Sequence, residues 1–375
     1  MKKNKRKSAQ RAEAQPGRAP TPAQIARSLG WLIALVVLLS LLLAIRLVLP
    51  SLGAKAKHPG DGKNPDTYGF DLSNIDAARG SVVAGGLPKD GIRALVEPEN
   101  VHGAEVEAIN EQQRRREHSK FLVPSDRVIG VEIGGEARAY PLRVMAWHEA
   151  ANDTLGGLPV LITYSPLCDS VAVFDRRVGG ETLEFGVSGL LCNSNQLLFD
   201  RREKPEDESL WSQLGARAIA GPAAGTKLET LPCAVVLWRD WIAAHPETTV
   251  VTGDRNVKGK YESSPYASYF LKGEPRFPVV PEPPGGGVPA FERVIAVRTR
   301  DSSAVFFFGD IAANAGEGGV FETKVGETPL SLRYTPETET YEPPTVEAVA
   351  EKPGAITSVT YSFWFAWYAF WAAGK

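Results

Sequence analysis

In the stretch Thr163-Tyr164-Ser165-Pro166-Leu167-Cys168-Asp169-Ser170, a β-type run stops at Ser-Pro and is followed at once by one of the chain's three cysteines. A thiolate beside an imidazole binds borderline or soft metals such as Cu or Zn, which makes Cys168, His148 and Cys192 a candidate ligand set. The same pairing makes a nucleophile, because an imidazole lowers the thiol pKa. On that chemistry the candidate catalytic residues are Cys168, His148 and Asp169, with Ser165 as an alternative nucleophile. A third chemistry is a reversible Cys168–Cys192 disulfide in an oxidising compartment. Polar residues crowd the segment that follows, and Asn193, Asn195, Asp200, Arg201 and Trp211 form a candidate cofactor or ligand pocket.

Each of these residues also has an ordinary structural reading. A histidine after Trp147 suits a cap or a core position, Cys192 between Leu191 and Asn193 suits buried packing, and the asparagines suit turns. Cys233, between Pro232 and an Ala-Val-Val-Leu-Trp run, reads as a small core residue. Three thiols are not a disulfide framework, and no paired C-x-x-C spacing is present. His148-Glu149 is followed by Asn152-Asp153 and no second histidine, so the zinc-protease helix motif is absent.

The elements that must position these side chains are short β runs with turn signals between them. "RVIGVEI" and "EARAYPL" flank Gly134-Gly135 and predict a hairpin, and "VAVFDRRVGGETLEFGVSG" repeats the device around Gly179-Gly180. Helices are expected only at 104–117, 141–151 and around Trp238 to Ala244. Two blocks recur in order: "DRVIGVEIGGEARAY" with "ERVIAVRTRDSSAVF", and "PVLITYSP" with "PLSLRYTP". Where the first copy continues Leu167-Cys168-Asp169-Ser170, the second has Glu337-Thr338-Glu339-Thr340, so the turn is shared and the thiol is not. Cys168 and Cys192 end nearly equal arms on either side of Gly179-Gly180, which predicts that one antiparallel hairpin brings them side by side.

Charge divides the chain. Residues 1–57 carry eleven Lys or Arg against Glu13 alone, which leaves the remainder at about −12. An acidic body argues against nucleic acid as a partner. Leu29 to Leu49 is apolar except for Ser40 and Arg46, and about 21 residues suffice to cross roughly 30 Å of hydrocarbon. The bases before it predict a cytoplasmic N-terminus and an extracytoplasmic body on a single-pass cell-membrane protein. An uncleaved anchor is favoured over a signal peptide cut near Ala54-Lys55-Ala56. The aromatic C-terminal "YSFWFAWYAFWAAGK" is too short to span and suits a β-rich core or a pocket wall.

The expected fold is therefore mainly β (α+β), with two related β-rich halves from an internal duplication behind one N-terminal transmembrane helix. Its parts are a basic cytoplasmic tail (1–28), the span (29–49), a linker and N-terminal extension (50–119), a first half with the candidate site (120–257) and a second half (258–375).

From about residue 120 onward the sequence resembles a bacterial and archaeal family, domain of unknown function 3179. The matching stretches are "VIGVEIGGEARAYPLRVMAWHEAANDT", "VLITYSPLCDSVAVFDR", "FGVSGLLCNSNQLLFDR", "SLWSQLGARAIAGPAAGTKLE" and "FWFAWYAF". The resemblance implies Thr-Tyr-Cys-Pro-Leu-Cys at the turn, a non-thiol residue at 192 and a histidine at 371. Here Ser165, Cys192 and Trp371 stand in those places. No activity comes with the resemblance. The leading expectation is a membrane-anchored extracytoplasmic protein with a thiol-dependent metal-binding or redox role centred on Cys168. The alternatives are a non-catalytic ligand- or partner-binding module, and a hydrolase with a Cys or Ser nucleophile.

Overall fold

Gly134 and Gly135 take φ of +61° and +83°, values that L side chains rarely adopt, and close a two-residue turn between β1 (Arg127–Ile133) and β2 (Glu136–Pro141). The computed structural model describes residues 59–75, 81–115, 120–254, 257, 261–285, 287–339 and 342–372, together with Ser40. After β2 comes α1 (Leu142–His148), which ends where Glu149 turns left-handed. Gly156 and Gly157 then fold β3 (Ala150–Leu155) onto β4 (Leu158–Ser165) by the same kind of turn. The chain continues through β5 (Ser170–Asp175), β6 (Phe185–Cys192), β7 (Asn195–Asp200), β8 (Leu210–Ser212), β9 (Arg217–Ala220) and β10 (Ala234–Leu237).

The order strand, strand, helix, strand, strand then recurs as β11 (Arg293–Thr299), β12 (Ser303–Phe307), α2 (Phe308–Asn314), β13 (Val320–Val325) and β14 (Thr328–Thr335). β15 (Thr345–Ala350) and β16 (Ile356–Phe363) follow, and the described chain ends in α3 (Trp364–Trp367) and a π-turn (Tyr368–Ala372). Register repeats along with order. Val128 faces Pro141 as Val294 faces Phe307, and Leu155 faces Leu158 as Val325 faces Thr328.

The two stretches are interleaved. One large sheet runs β12-β11-β16-β5-β4-β3 and the other β13-β14-β15-β10-β1-β2, each with two further short strands from the first part of the chain. Each thus takes three strands from the second repeat and the strands after it, and the rest from earlier in the chain. The joins are equivalent: Tyr361 pairs with Val171 in one sheet and Val235 with Val346 in the other. A third sheet, β6-β7-β8-β9 with Val82–Ala84 at its edge, is separate. Alternation along β4 explains the layering. Val160, Ile162 and Tyr164 pack with Ile129, Val131 and Tyr140 of the other large sheet. Leu161 points the opposite way, toward Phe185, Leu198 and Trp211 of the third sheet. β4 is thus buried on both faces, and "TYSP" lies at the end of a middle layer.

The expected fold class is corrected in one respect. The described chain is mainly β with several sheets, and none of its helices is long and apolar enough to cross a membrane. The transmembrane helix at 29–49 rested on an apolar run alone. Apart from Ser40, that run and the tail before it lie outside the described residues. The chain divides into two compact units, Met1–Lys57 and His58–Lys375, and the sheets belong to the second. Within 50–119, Val82–Ala84, Leu95–Val96 and Asn100–His102 each add a strand to one of the three sheets.

Candidate functional site

Pro166 has no amide proton for the ladder, so β4 stops at Ser165. Pro166 to Cys168 form a 3-10 turn capped by Asp169 at φ 44°. Cys168 is fully buried, clustered with Leu214, Val279, Phe363 and Phe365. Its thiol donates to the Ser194 carbonyl at 3.2 Å. Burial drives the thiol pKa far above its ordinary value, against smaller opposing effects from Asn195 and Ser165. A protonated, capped thiol in an apolar shell is poorly suited to nucleophilic attack or metal ligation.

The expected hairpin does not join Cys192 to Cys168. Gly179 and Gly180 turn only Arg177–Val178 onto Glu181–Thr182. β5 then pairs with β4 while β6 pairs with β7 in a different sheet. The thiol of Cys168 instead meets the tight β6–β7 turn, where Asn193 and Ser194 at φ 51° and 62° set the Ser194 carbonyl against it. All three cysteines are free thiols. The Cys192 sulfur lies 3.4 Å from Ser81 Oγ. Cys233 donates to the Val359 carbonyl, and burial pushes its thiol up to about 12.

His148 is committed elsewhere. Its Nδ1 lies 2.7 Å from the Arg93 carbonyl and its Nε2 2.5 Å from the Tyr261 hydroxyl. A carbonyl only accepts, so Nδ1 carries the proton and Nε2 accepts from Tyr261. Burial lowers the imidazole pKa and favours this neutral form. No ring nitrogen is left for a metal or for Cys168, and Ser165 Oγ accepts from the Gln196 amide. Among the described residues, no group of three or more His, Cys, Asp or Glu is placed to hold a metal ion. The Cu or Zn set of Cys168, His148 and Cys192 is therefore not assembled.

Asp169 joins no catalytic pair with Cys168. Its buried carboxylate accepts from Arg127 at 3.1 and 3.2 Å, from Arg293 Nε at 2.8 Å and from the Tyr164 hydroxyl at 3.0 Å. Arg127 and Arg293 each open the first strand of one repeated unit, so one carboxylate ties the two units together. Burial alone would raise its pKa, but the two guanidiniums outweigh it and hold the carboxyl well below the usual range. Glu149 is the opposite case. Burial lifts it to about 7, and the Tyr266 hydroxyl, donating at 2.6 Å, offsets only part of that.

The candidate pocket residues do not converge. Asn195 donates to Ser170 Oγ and to Gln213 Oε1, and Gln213 in turn donates to Thr163 Oγ1, a buried network joining β4, β5 and β7. Asp200 accepts from the Ser209 amide, Trp211 Nε1 and Arg202, while Arg201 forms a two-bond pair with Asp90. These are well-satisfied structural contacts. Of the five, only Asn193 reaches an open cavity, and its own Oδ1 accepts from the Val280 amide at 2.9 Å.

That cavity has a volume of about 860 Å³. Its wall comes from Cys192 and Asn193, the β8–β9 segment, Lys227, Leu228 and Thr230, strands β11, β12 and β16, and the C-terminal helix. Among the described residues lining it are three cations, Arg217, Lys227 and Arg298, and no carboxylate. Trp367 and Trp371 form an aromatic wall, stacked with centroids 5.9 Å apart at 27°. Trp371 Nε1 donates to the Leu214 carbonyl at 3.0 Å, which pins the indole in place. Sequence reading missed the cations, because each sits on a separate strand or loop and no short spacing joins them. Cys192 and Trp371, two departures from the family pattern, line this cavity, and the aromatic C-terminus expected to suit a core or a pocket wall supplies Trp367, Phe370 and Trp371 to it.

No curated protein and no solved structure matches this chain. A family model does match, over residues 89–374, and so takes in the Leu95–Val96 and Asn100–His102 strands ahead of β1. With most of its length inside that match, including the Cys168 turn and all of the cavity wall but Ser81, the chain belongs to the family described as Protein of unknown function (DUF3179).

Proposed function

We propose that the protein is a non-catalytic binding module whose small-molecule ligand occupies the cavity between the third sheet and strands β11, β12 and β16. The observation that carries this reading is a cavity of about 860 Å³ walled by paired indoles and by cations without carboxylates. Its volume falls within the range of small-molecule sites, roughly 300–1,000 Å³. A thiol-dependent metal or redox role at Cys168 has less support, since the thiol is sealed and capped and both His148 nitrogens are engaged. A hydrolase reading has less support, since among the described residues no His, Asp or Glu side chain hydrogen-bonds Ser165 or Cys168.

The test is amide and indole NMR of the purified protein against a panel of fragment-sized neutral, acidic and basic ring compounds. Shift changes should gather at Trp367, Trp371, Gly215 and Thr230. Fragments that gather at the Cys168 turn or elsewhere would overturn the reading.

A further inference from the structure

We infer that the ligand of this cavity is an anion carried on a hydroxylated ring, a sugar acid or a sugar phosphate; this rests on the ligand-binding reading above. Charge comes first. Residues 58–375 carry a net charge of about −12, yet the described cavity wall holds Arg217, Lys227 and Arg298 and no carboxylate. A wall of one sign in a body of the other concentrates counter-ions of its own choosing. Lys227 and Arg298 are exposed, and neither makes an ion pair or a side-chain hydrogen bond among the described residues. Their donors remain free for a carboxylate or phosphate oxygen, and a guanidinium can hold two such oxygens at once.

Shape supplies the ring. Both indoles of the Trp367–Trp371 stack line the same cavity, and the bond from Trp371 to Leu214 fixes that indole before any ligand arrives. A preset wall costs little entropy to use. Thr360 lines the cavity from β16 and offers a hydroxyl that both donates and accepts, which suits ring hydroxyls. An inorganic anion would leave the indoles unused, and a neutral sugar would leave the cations unused. The anionic ring engages both.

The experiment is calorimetric titration of the wild-type protein and a Lys227→Gln, Arg298→Gln double variant. Both positions are exposed, so the variant should fold. The probes are glucose, glucuronate, glucose 6-phosphate and inorganic phosphate. At least one of the two anionic rings should bind about tenfold tighter than glucose and than inorganic phosphate, with an affinity that falls as salt rises. Glucuronate ahead of glucose 6-phosphate identifies a carboxylate ligand, and the reverse a phosphate. The double variant should lose that advantage and bind all four probes alike. Anionic rings no tighter than glucose, no binding of either up to about 10 mM, or an undiminished double variant would overturn the inference. Fragments that still gather at Trp367 and Trp371 would then leave the binding module standing, whereas fragments gathering elsewhere would remove both.

Discussion

Replacing Asp169 by Asn removes one negative charge and almost no volume, which isolates the charge that ties the two repeated units together. The carboxylate side chain is 3% exposed, and its partners Arg127 and Arg293 are 10% and 22% exposed. Removing one partner of a buried pair leaves uncompensated charge, at a cost of about 3–5 kcal/mol. Arg127 keeps a second carboxylate, Glu342, at 3.7 Å, and Arg293 is partly wet, so the lower end applies, about 3 kcal/mol. Calorimetric unfolding should show a melting temperature roughly 4–6 °C below wild type at neutral pH. The pH dependence has a definite sign. The folded carboxyl titrates below its unfolded value, so its contribution is complete above about pH 4 and is lost as pH falls further. The gap between wild type and variant should therefore narrow between about pH 4 and pH 2. An Asn variant within about 0.5 kcal/mol of wild type at neutral pH, or a gap that stays constant down to acid, would refute the clamp.

Thiol chemistry gives a second prediction. Cys168 and Cys233 are buried free thiols away from the cavity, so both should resist iodoacetamide in the native protein and react after denaturation. Rapid alkylation of Cys168 in the native state would restore the nucleophile reading. Glu149 gives a third. Its folded pKa of about 7 lies above the unfolded value, so its contribution is complete below about pH 4 and is lost as pH rises toward 7. Glu149→Gln should flatten that part of the stability curve and be the more stable protein at about pH 8, by up to roughly 3 kcal/mol in urea unfolding. A wild-type curve that is flat across that window would contradict a buried, protonated Glu149.

Local chemistry is what the sequence makes legible. Gly134-Gly135 marks a turn because only a few residues tolerate positive φ, and the repeated Arg-Val-Ile and Tyr-Ser/Thr-Pro blocks fall on strands at matching places. What the repeats do next is not legible. β5 joins β16 and β10 joins β15 through contacts far apart in the chain, and those depend on packing. Equal arms around Gly179-Gly180 mislead for the same reason, since a two-residue hairpin intervenes before the chain crosses into another sheet. Cys168 and His148 were visible as residue types. Their burial, the Ser194 carbonyl and the Tyr261 hydroxyl that occupy them were not. The cavity lies furthest from view, because Lys227 and Arg298 are unremarkable where they stand and acquire meaning only as neighbours.

The central claim is that small molecules bind at the indole-walled cavity and not at the Cys168 turn. Ser303 lines the cavity and is exposed, so Ser303→Trp would fill space there with little effect on the core, whereas Cys168→Ser keeps a donor for the Ser194 carbonyl. The decisive measurement is the affinity of the best fragment from the NMR panel for wild type, Ser303→Trp and Cys168→Ser. The predicted result is a loss of about tenfold or more in Ser303→Trp and a change of less than about twofold in Cys168→Ser. The opposite pattern, binding unchanged by Ser303→Trp and lost in Cys168→Ser, would contradict the account.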